Sequence, residues 1–229
     1  MVIAVLFGGG GATHNQDPQL EDFLMTRLPL NPVIGHIGMA NDDNPDRIER
    51  VTRRFRELGG KVMHLPKEAT ADEADIWARG VDAIYVGGGN TARMLTNWRK
   101  TGIDRVLTAA ARRGVVLSGV SAGAVAWFDF ALWDGGGAGY QTLAGLGLIP
   151  GSCCPHFTTE PARAAAFRDH LKRGLISAGY AIGDGAGLVI DGDKERTCIV
   201  ARPNSGVWHI SCNGADLCQT DLPNASVAR

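Results

Sequence analysis

The feature of this sequence that most constrains its fold is an alternation of short apolar runs with longer amphipathic segments. The apolar runs predict strands at residues 2–7, 32–39, 61–65, 83–86 and 115–119. The clearest amphipathic segment, residues 46–58 (DRIERVTRRFREL), predicts a helix that ends at Gly59. Further helices are expected to begin near Asp72, Asn90, Ile103, Ala122 and Pro161. Because strands joined by crossover helices form a parallel sheet covered on both faces, we predict an α/β fold with a largely parallel sheet sandwiched by helices.

Beyond residue 180 the pattern changes to short apolar runs in hairpin spacing. Residues 180–182, 187–190, 197–201 and 207–211 predict strands, which would add a short antiparallel C-terminal extension to the sheet. Residues 213–229 are polar and lack periodicity, so we expect an exposed tail there. No repeat or linker interrupts the chain. We therefore predict a single domain over residues 1–212, followed by the polar tail.

The charge and cysteine content exclude several classes of protein. The chain has 23 basic and 24 acidic residues, whereas nucleic-acid and membrane-surface partners select for a basic face. The N-terminal MVIAVLFGGGG has no basic flank or cleavage-site pattern, so it indicates a buried strand and not a signal peptide. The five cysteines lack C-x-x-C spacing, which argues against a disulfide framework or a zinc site. We expect a cytoplasmic protein without metal or other cofactor.

The strongest functional motif lies in VVLSGVSAGAVAWF, residues 115–128. Gly119, Ser121 and Gly123 fit G-x-S-x-G between a predicted strand and a predicted helix. At that position the serine sits on a tight turn that lifts its hydroxyl above the sheet, and the N–H of Ala122 points toward an oxyanion formed on attack. The alternative is a tight turn without chemistry. The strand before the motif and the helix after it favour a nucleophile.

A nucleophilic serine needs a base, and six histidines are available. His156 stands in CCPHFTTEPAR, in a predicted loop just before a helix, where a base would be useful. His170 lies in a predicted helix and His64 in a predicted strand, which favours a packed or surface role for both. Position alone therefore gives His156 only a modest lead.

A third residue should be a carboxylate that fixes the tautomer of the imidazole. Asp184 follows a predicted strand and has glycine on both sides (AIGDGAGLVI), and Asp134 in the glycine-rich WDGGGAG is the competitor. Aspartate next to glycine is also common in plain turns. We favour Asp184. The chain order Ser…His…Asp differs from that of α/β-hydrolases, so that fold is not expected.

Two glycine loops follow predicted strands. In IYVGGGNTA, residues 84–92, Gly87, Gly89 and Ala92 satisfy G-x-G-x-x-G/A, but no acidic residue ends a following strand to hold a ribose. The backbone N–H groups of Gly88 and Gly89 are better assigned as oxyanion donors beside Ala122. FGGGGATHN, residues 7–15, lacks both the dinucleotide spacing and the Lys-Ser/Thr of a P-loop, so a tight turn remains a full alternative there.

Three motifs in order, GGGNT, G-V-S-A-G-A and P-H-F before a helix, resemble peptidase E, the aspartyl dipeptidase family of serine peptidases to which cyanophycinases are related. The similarity runs across residues 1–200. The resemblance implies a fold similar to class I glutamine amidotransferase domains and a reaction without metal. It also implies Ser121 as nucleophile, His156 as base, and an oxyanion hole formed by the backbone of residues 88, 89 and 122.

The resemblance leaves the third catalytic residue open. The family's proposed glutamate matches the position of Asp184, and an aspartate that has also been given this role matches a position near Asp134. Family members release N-terminal aspartate from dipeptides, so the expected partner is a small peptide.

For such a substrate the resemblance, together with the need for a cation opposite the acidic side chain, assigns substrate binding to Asn90, Glu160 and Arg163. Arg163 would hold the acidic side chain and Glu160 the α-amino group. Arg168 is a further candidate cation. Solvated helix surface is the alternative for each charged residue.

Two other functions stay open beside a serine dipeptidase. An amidotransferase-like or other acyl-transfer enzyme is one, although such glutaminases use cysteine where this chain has Ser121. The second is a non-catalytic protein that binds a small ligand through its glycine loops. The five tryptophans offer material for a homodimer interface, and core packing accounts for them equally well.

Overall fold

The computed structural model describes residues 1–214 and 216–225, which form two β-sheets with helices packed around them. The strands are β1 (Ile3–Phe7), β2 (Val33–Ile37), β3 (Lys61–Leu65), β4 (Ala83–Val86), β5 (Val116–Val120), β6 (Phe128–Trp133), β7 (Gln141–Ala144), β8 (Ile149–Cys154), β9 (Gly179–Ile182), β10 (Ala186–Asp191), β11 (Thr197–Val200), β12 (Val207–Asn213) and β13 (Asp216–Asp221). The helices are α1 (Gly11–His14), α2 (Gln19–Met25), α3 (Pro45–Glu57), α4 (Ala71–Arg79), α5 (Thr91–Thr101), α6 (Ile103–Arg112), α7 (Ala122–Val125) and α8 (Pro161–Lys172).

The first sheet has the strand order β11-β10-β1-β5-β4-β2-β3. The neighbouring strands β1, β5, β4, β2 and β3 pair in parallel. Strand β10 runs antiparallel to both β1 and β11. All five strands expected in the first half of the chain lie in this sheet, with ends shifted by two residues or fewer. The predicted fold class, a largely parallel sheet between helices with antiparallel C-terminal strands, is therefore confirmed.

The second sheet has the order β13-β12-β9-β8-β6-β7, and its strands β6, β7 and β8 were not predicted. The sequence predicts a helix from Ala122, but α7 has only four residues before the chain turns into β6. The run AVAWFDFALW is almost continuously apolar, and periodicity cannot distinguish a helix from a buried strand in such a run. The parallel pairing of β6 with β8 decides the structure in favour of strands.

Part of the expected C-terminal tail is a strand. β13 pairs antiparallel with β12, for example Cys212 opposite Leu217, so residues 216–221 belong to a hairpin at the edge of the second sheet. The sequence hides this strand because its side chains are mostly polar and exposed, as edge strands tolerate. Beyond this strand, the backbone of Pro223 and Ala225 forms hydrogen bonds with that of Cys198. The tail prediction at residues 215 and 226–229 lies outside the described residues.

The core covers both faces of the first sheet, as the alternation of side chains along β1 requires. Val5 and Phe7 pack with α1, α2 and α3 in one hydrophobic cluster. Ala4 and Leu6 belong to another cluster, which also contains residues of the second sheet such as Ala131 and Ile149. The two sheets thus share one core, and the boundary of a single domain at residue 212 stays a prediction.

Side-chain caps stabilise the first turns of α3 and α4. Asn44 caps α3 by accepting a hydrogen bond from the backbone N–H of Arg47, and Thr70 with Glu73 forms a capping box on α4. Each cap of this kind stabilises a protein by about 1 kcal/mol. Among the helices of residues 1–214 and 216–225, none is long and apolar enough to cross a membrane.

Some of the tryptophans lie in the core. Trp98 of α5 and Trp127 are fully buried, with ring centroids 6.0 Å apart. Core packing therefore accounts for these two side chains, and a homodimer stays a prediction.

His36 in β2 is a buried ionisable residue that belongs to none of the functional motifs identified in the sequence. Its Nδ1 lies 3.2 Å from Nδ1 of His64, and its ring is almost completely removed from solvent. Burial, with a smaller contribution from the neighbouring His64, lowers the pKa of His36 from its usual value of 6.5 to about 3. The native protein therefore holds His36 neutral under conditions in which the unfolded chain binds a proton.

This pKa shift predicts a loss of stability in mild acid. Between pH 7.5 and pH 5 the unfolded chain takes up a proton on His36 that the native state does not, so the free energy of unfolding should fall by about 2 kcal/mol from this residue. Urea unfolding should show that His36→Gln loses less stability than the wild type over this range. Parallel pH dependences for the two proteins would contradict the prediction.

Candidate active site

Ser121 occupies a strained turn between β5 and α7. Its backbone angles, φ 53° and ψ −112°, are unusual for any residue with a side chain and mark local strain. The two glycines of the motif allow the turn: a Cβ atom on Gly123 would lie 2.0 Å from the carbonyl oxygen of Val86, and one on Gly119 would lie 2.6 Å from that of Gly123. The spacing G-x-S-x-G is therefore required by close backbone approach at the end of β4.

Ser121, His156 and Asp184 form a continuous hydrogen-bonded chain. Oγ of Ser121 lies 2.8 Å from Nε2 of His156, and Nδ1 of His156 lies 2.8 Å from Oδ1 of Asp184. These partners assign the neutral tautomer: Nδ1–H donates to the carboxylate, and Nε2 accepts from the serine hydroxyl. The structure thus brings together Ser121, His156 and Asp184, the three residues favoured by the sequence.

His156 lies on the loop between β8 and α8 and also has positive φ, at 54°. Its ring is held from both sides, and the side chains of His156 and Asp184 are 18% and 11% exposed. Such an arrangement keeps the imidazole in one orientation and shields the pair from bulk water. It can take a proton from the Ser121 hydroxyl without a change of rotamer.

Asp184 lies in the glycine-flanked turn between β9 and β10. Its Oδ2 accepts a hydrogen bond from the hydroxyl of Thr159, and its backbone N–H donates to Oγ1 of Thr158 at 3.3 Å. Burial by itself would raise the pKa of the Asp184 carboxyl, but the hydrogen bonds from His156 and Thr159 outweigh it and hold that pKa below its usual range. The carboxylate therefore stays ionised beside the imidazole.

Three residues that contact the His156–Asp184 pair were not identified from the sequence: Thr158, Thr159 and Gly9. A Cβ atom on Gly9 would lie 1.5 Å from Oδ1 of Asp184 and 2.7 Å from Nδ1 of His156, so only glycine fits there. The glycine run at residues 8–11, which the sequence left open as a plain turn, thus packs directly against the His–Asp pair. The four consecutive glycines were the sequence signal that could have indicated this close packing.

Asp134, the other candidate for the third residue, is placed elsewhere. Its carboxylate accepts a hydrogen bond from the backbone N–H of Gly136 at 3.0 Å and caps a short 3-10 helix. Within the described residues it makes no hydrogen bond to a histidine. Asp134 nevertheless lines the cleft in front of Ser121.

The loop after β4 places Gly88 and Gly89 beside the serine. A Cβ atom on Gly88 would lie 3.4 Å from Cβ of Ser121. Side chains of Asn41 and Arg47 both donate to the carbonyl oxygen of Gly88, at 3.2 Å each. In a trans peptide the following N–H points the opposite way, so the N–H of Gly89 points away from these two side chains. Gly89 lines the same cleft as Ser121 and Ala122.

The cleft in front of Ser121 is small, with a volume of about 190 Å³. Arg163 lines it and is held by three contacts: Nε donates to Glu160 at 2.7 Å, Nη1 donates to the carbonyl of Leu132 at 3.2 Å, and the guanidinium lies over the ring of Tyr140. Asn90 also lines the cleft, where its side-chain oxygen caps α5.

The other charged candidates lie farther from the serine. Glu160 contacts the cleft only through Arg163, because it is not among the residues that line it. Arg168 stacks on the ring of Phe157 and donates to Gln219, outside the cleft. In the part of the chain that the structure describes, no three His, Cys, Asp or Glu side chains are grouped to hold a metal ion.

Comparison with known proteins defines the class. The model of peptidase family S51 matches residues 4–198, and the chain therefore belongs to this peptidase family. A relative from Bacillus subtilis (strain 168), the uncharacterized peptidase YgaJ, is 30% identical over 223 residues and covers 96% of each chain.

Solved structures share the fold at lower identity. A peptidase from an acI-B1 Actinobacterium superposes with a TM-score of 0.71 at 18% identity, over 99% of this chain and 96% of that one. A candidate peptidase E from Listeria monocytogenes EGD-e gives a TM-score of 0.67 at 20% identity, over 87% of this chain and 98% of that one. The family resemblance stated from the motifs is confirmed.

The geometry predicts which aspartate supports the reactivity of Ser121. Asp184→Asn removes the charge opposite His156 and favours the wrong tautomer, so the rate at which a fluorophosphonate labels the serine should fall by on the order of 100-fold or more. Asp134→Asn is the matched control, the same change at a residue that lines the cleft but makes no hydrogen bond to the ring, and should label at nearly the wild-type rate. The reverse order of the two variants would contradict the assignment.

Proposed function

We propose that the protein is a serine exopeptidase, a dipeptidase that hydrolyses short peptides with N-terminal aspartate through an acyl-enzyme on Ser121. The observation that carries the proposal is the hydrogen-bonded chain from Ser121 through His156 to Asp184, at the base of a small cleft in a member of a peptidase family. The family supplies the class of reaction. The chain of contacts supports the serine mechanism.

In this mechanism the hydroxyl oxygen of Ser121 attacks the carbonyl carbon of the peptide bond, and its proton moves to Nε2 of His156. The resulting oxyanion receives hydrogen bonds from backbone N–H groups of Gly89 and Ala122, with Gly88 beside them. His156 then gives the proton to the leaving amine, and the C–N bond breaks. A water molecule repeats the sequence on the ester, which releases the acid and restores the serine.

The preference for an N-terminal acidic residue is supported by the charge and size of the cleft. A volume of about 190 Å³ suits one or two small residues and not an extended peptide. Arg163 is the cation that lines it, and among the described residues its Nη2 has no hydrogen-bond partner. A guanidinium edge can bind a carboxylate in plane. We assign the side chain of the substrate to Arg163.

The α-amino group needs a carboxylate within reach of the same cleft. Glu160 was the candidate from the sequence, and it is already paired with Arg163. Asp134 lines the cleft directly and is the second candidate for this contact. Asn90 offers its amide at the rim.

The amidotransferase alternative needs a reactive cysteine. Cys153 and Cys154 are both fully buried, and burial raises the pKa of Cys154 to about 12 and that of Cys153 well above its usual range. Neither thiol is therefore suited to act as a nucleophile. A purely ligand-binding protein would not require a strained serine aligned with an imidazole, so we rank that alternative last.

Removal of the serine tests the mechanism. On a panel of Asp-Xaa dipeptides and matched peptides with other N-terminal residues, the wild type should hydrolyse the aspartyl peptides best. Ser121→Ala should fold with an unchanged melting temperature and lose turnover by several orders of magnitude. Retained turnover in that variant would exclude Ser121 as the nucleophile.

A second variant tests the assignment of Arg163. Arg163→Gln should raise KM for aspartyl peptides by roughly 10–100-fold, because a charge-assisted hydrogen bond contributes about 1.5–3 kcal/mol. Arg168→Gln, on the same helix but outside the cleft, is the matched control and should leave KM unchanged. An undiminished preference for aspartate in Arg163→Gln would show that another residue selects the substrate.

A further inference from the structure

Glu21 in α2 is a fully buried carboxyl group that the proposed mechanism does not use. Its Oε1 accepts two hydrogen bonds, one from the backbone N–H of Ala12 at 2.9 Å and one from the hydroxyl of Tyr85 at 3.2 Å. Its Oε2 is buried and, within the described residues, has no hydrogen-bond partner. Burying an ionisable side chain costs free energy, and the two hydrogen bonds of Glu21 offset part of that cost.

The first contact fixes the glycine loop at residues 8–12. The loop begins where the backbone N–H of Ser121 donates to the carbonyl of Phe7, at 3.0 Å. It passes beneath the His–Asp pair at Gly9, whose carbonyl accepts from the N–H of Gly185 at 2.9 Å. It ends at Ala12, held by Glu21. The loop and the last residue of β1 before it, Phe7, therefore contact Ser121, His156 and Asp184 between them.

The fit between Glu21 and the end of the loop is close. A Cβ atom on Gly11 would lie 2.5 Å from Oε1 of Glu21, and Gly11 has a positive φ of 66°. The loop could not take this path with a larger residue at that position. The carboxyl oxygen and the backbone thus define one another's positions.

The second contact reaches β4, the strand that leads into the loop at residues 87–89. Tyr85 lies in β4, two residues before Gly87, and its ring is fully buried. Its hydroxyl donates to Glu21 and lies 3.4 Å from Oγ1 of Thr13, which can donate to it in turn. The hydroxyl therefore bridges the end of β4 to the first glycine loop.

We propose that Glu21 is a positioning residue for this site: one buried carboxyl group holds the two glycine loops, residues 8–12 and 87–89, in register against Ser121, His156 and Asp184. The inference rests on the proposed function, because it concerns the reactivity of the same serine. Glu21 touches neither the substrate nor the reacting atoms and acts only through Ala12 and Tyr85.

A neutral acceptor of the same shape should replace the carboxyl group. Burial, opposed by the hydrogen bonds from Ala12 and Tyr85 and by the charge of Arg54, raises the pKa of Glu21 to about 7. The other charged groups on this side, Arg50, Arg53 and Glu57 of α3, line a cleft that Glu21 borders as well. A carboxyl group with this pKa is only partly ionised near neutral pH, whereas the acceptor Oε1 is present in both protonation states.

The experiment compares Glu21→Leu, Glu21→Gln and Tyr85→Phe. Leucine removes both acceptors and should slow fluorophosphonate labelling of Ser121 by about tenfold or more and lower kcat for aspartyl dipeptides similarly, with KM little changed. Glutamine keeps an oxygen at the same place and should stay within about threefold of the wild type. Tyr85→Phe should fall between them. In the double variant that carries Glu21→Leu and Tyr85→Phe, the tyrosine change should slow labelling little beyond the effect of Glu21→Leu alone, because both changes remove the same hydrogen bond.

Trp77→Phe is the control for lost stability alone. Trp77 in α4 is buried and donates to the carbonyl of Met63 at 2.9 Å, away from both glycine loops. The Trp77→Phe substitution should lower the melting temperature and leave the labelling rate unchanged. An equal loss of labelling in Trp77→Phe and Glu21→Leu would overturn the proposal, as would a glutamine variant that is as slow as leucine.

Two further outcomes are decisive. If Glu21→Leu does not fold, Tyr85→Phe decides: slower labelling supports the proposal, and the wild-type rate overturns it. Labelling requires no peptide, so a wild type that reacts with the fluorophosphonate but cleaves no aspartyl dipeptide refutes the proposed substrate while the role of Glu21 is still measured.

Discussion

The close approach between α7 and the end of β4 is the constraint on which the rest of the site depends. The carbonyl oxygen of Val86 leaves no room for a side chain at position 123, and the turn that results places Ser121 in a conformation with positive φ. Strain of this kind costs on the order of 1–3 kcal/mol and persists only where the surroundings enforce it. Here the parallel pairing of β1, β5 and β4 enforces it.

The strained serine is useful only because its partners are held with equal firmness. His156 also has positive φ, and Asp184 is fixed by Thr158, Thr159 and the neighbouring glycines. These residues come from loops at the carboxyl ends of strands in both sheets, the edge where α/β proteins place their ligands. Electrostatic preorganisation of this kind removes the need to reorient groups during the reaction.

Much of the fold could be predicted from the sequence, because five strands of the first sheet have strong apolar runs bounded by glycine or helices. The second sheet could not. Residues 128–133 continue an apolar run without a period, and their conformation is decided by pairing with β8, far along the chain. The polar strand β13 was hidden for the opposite reason, since an edge strand needs no apolar pattern.

The candidate site divides in a similar way. Ser121 and His156 stand in motifs with local meaning, whereas the choice between Asp184 and Asp134 depends on a contact that neither local sequence specifies. Gly9, Thr159 and Glu21 were missed because their importance lies in contacts between distant segments. Such contacts leave no period and no motif, so only the folded chain reveals them.

The central claim is that the hydroxyl at position 121 is the nucleophile and that the imidazole of His156 activates it. Tandem mass spectrometry of the wild-type protein after reaction with a fluorophosphonate tests this directly. The account predicts one phosphonyl group per chain, located on Ser121, and its near absence in His156→Gln. An unmodified Ser121, or a phosphonyl group located on another residue, would contradict it.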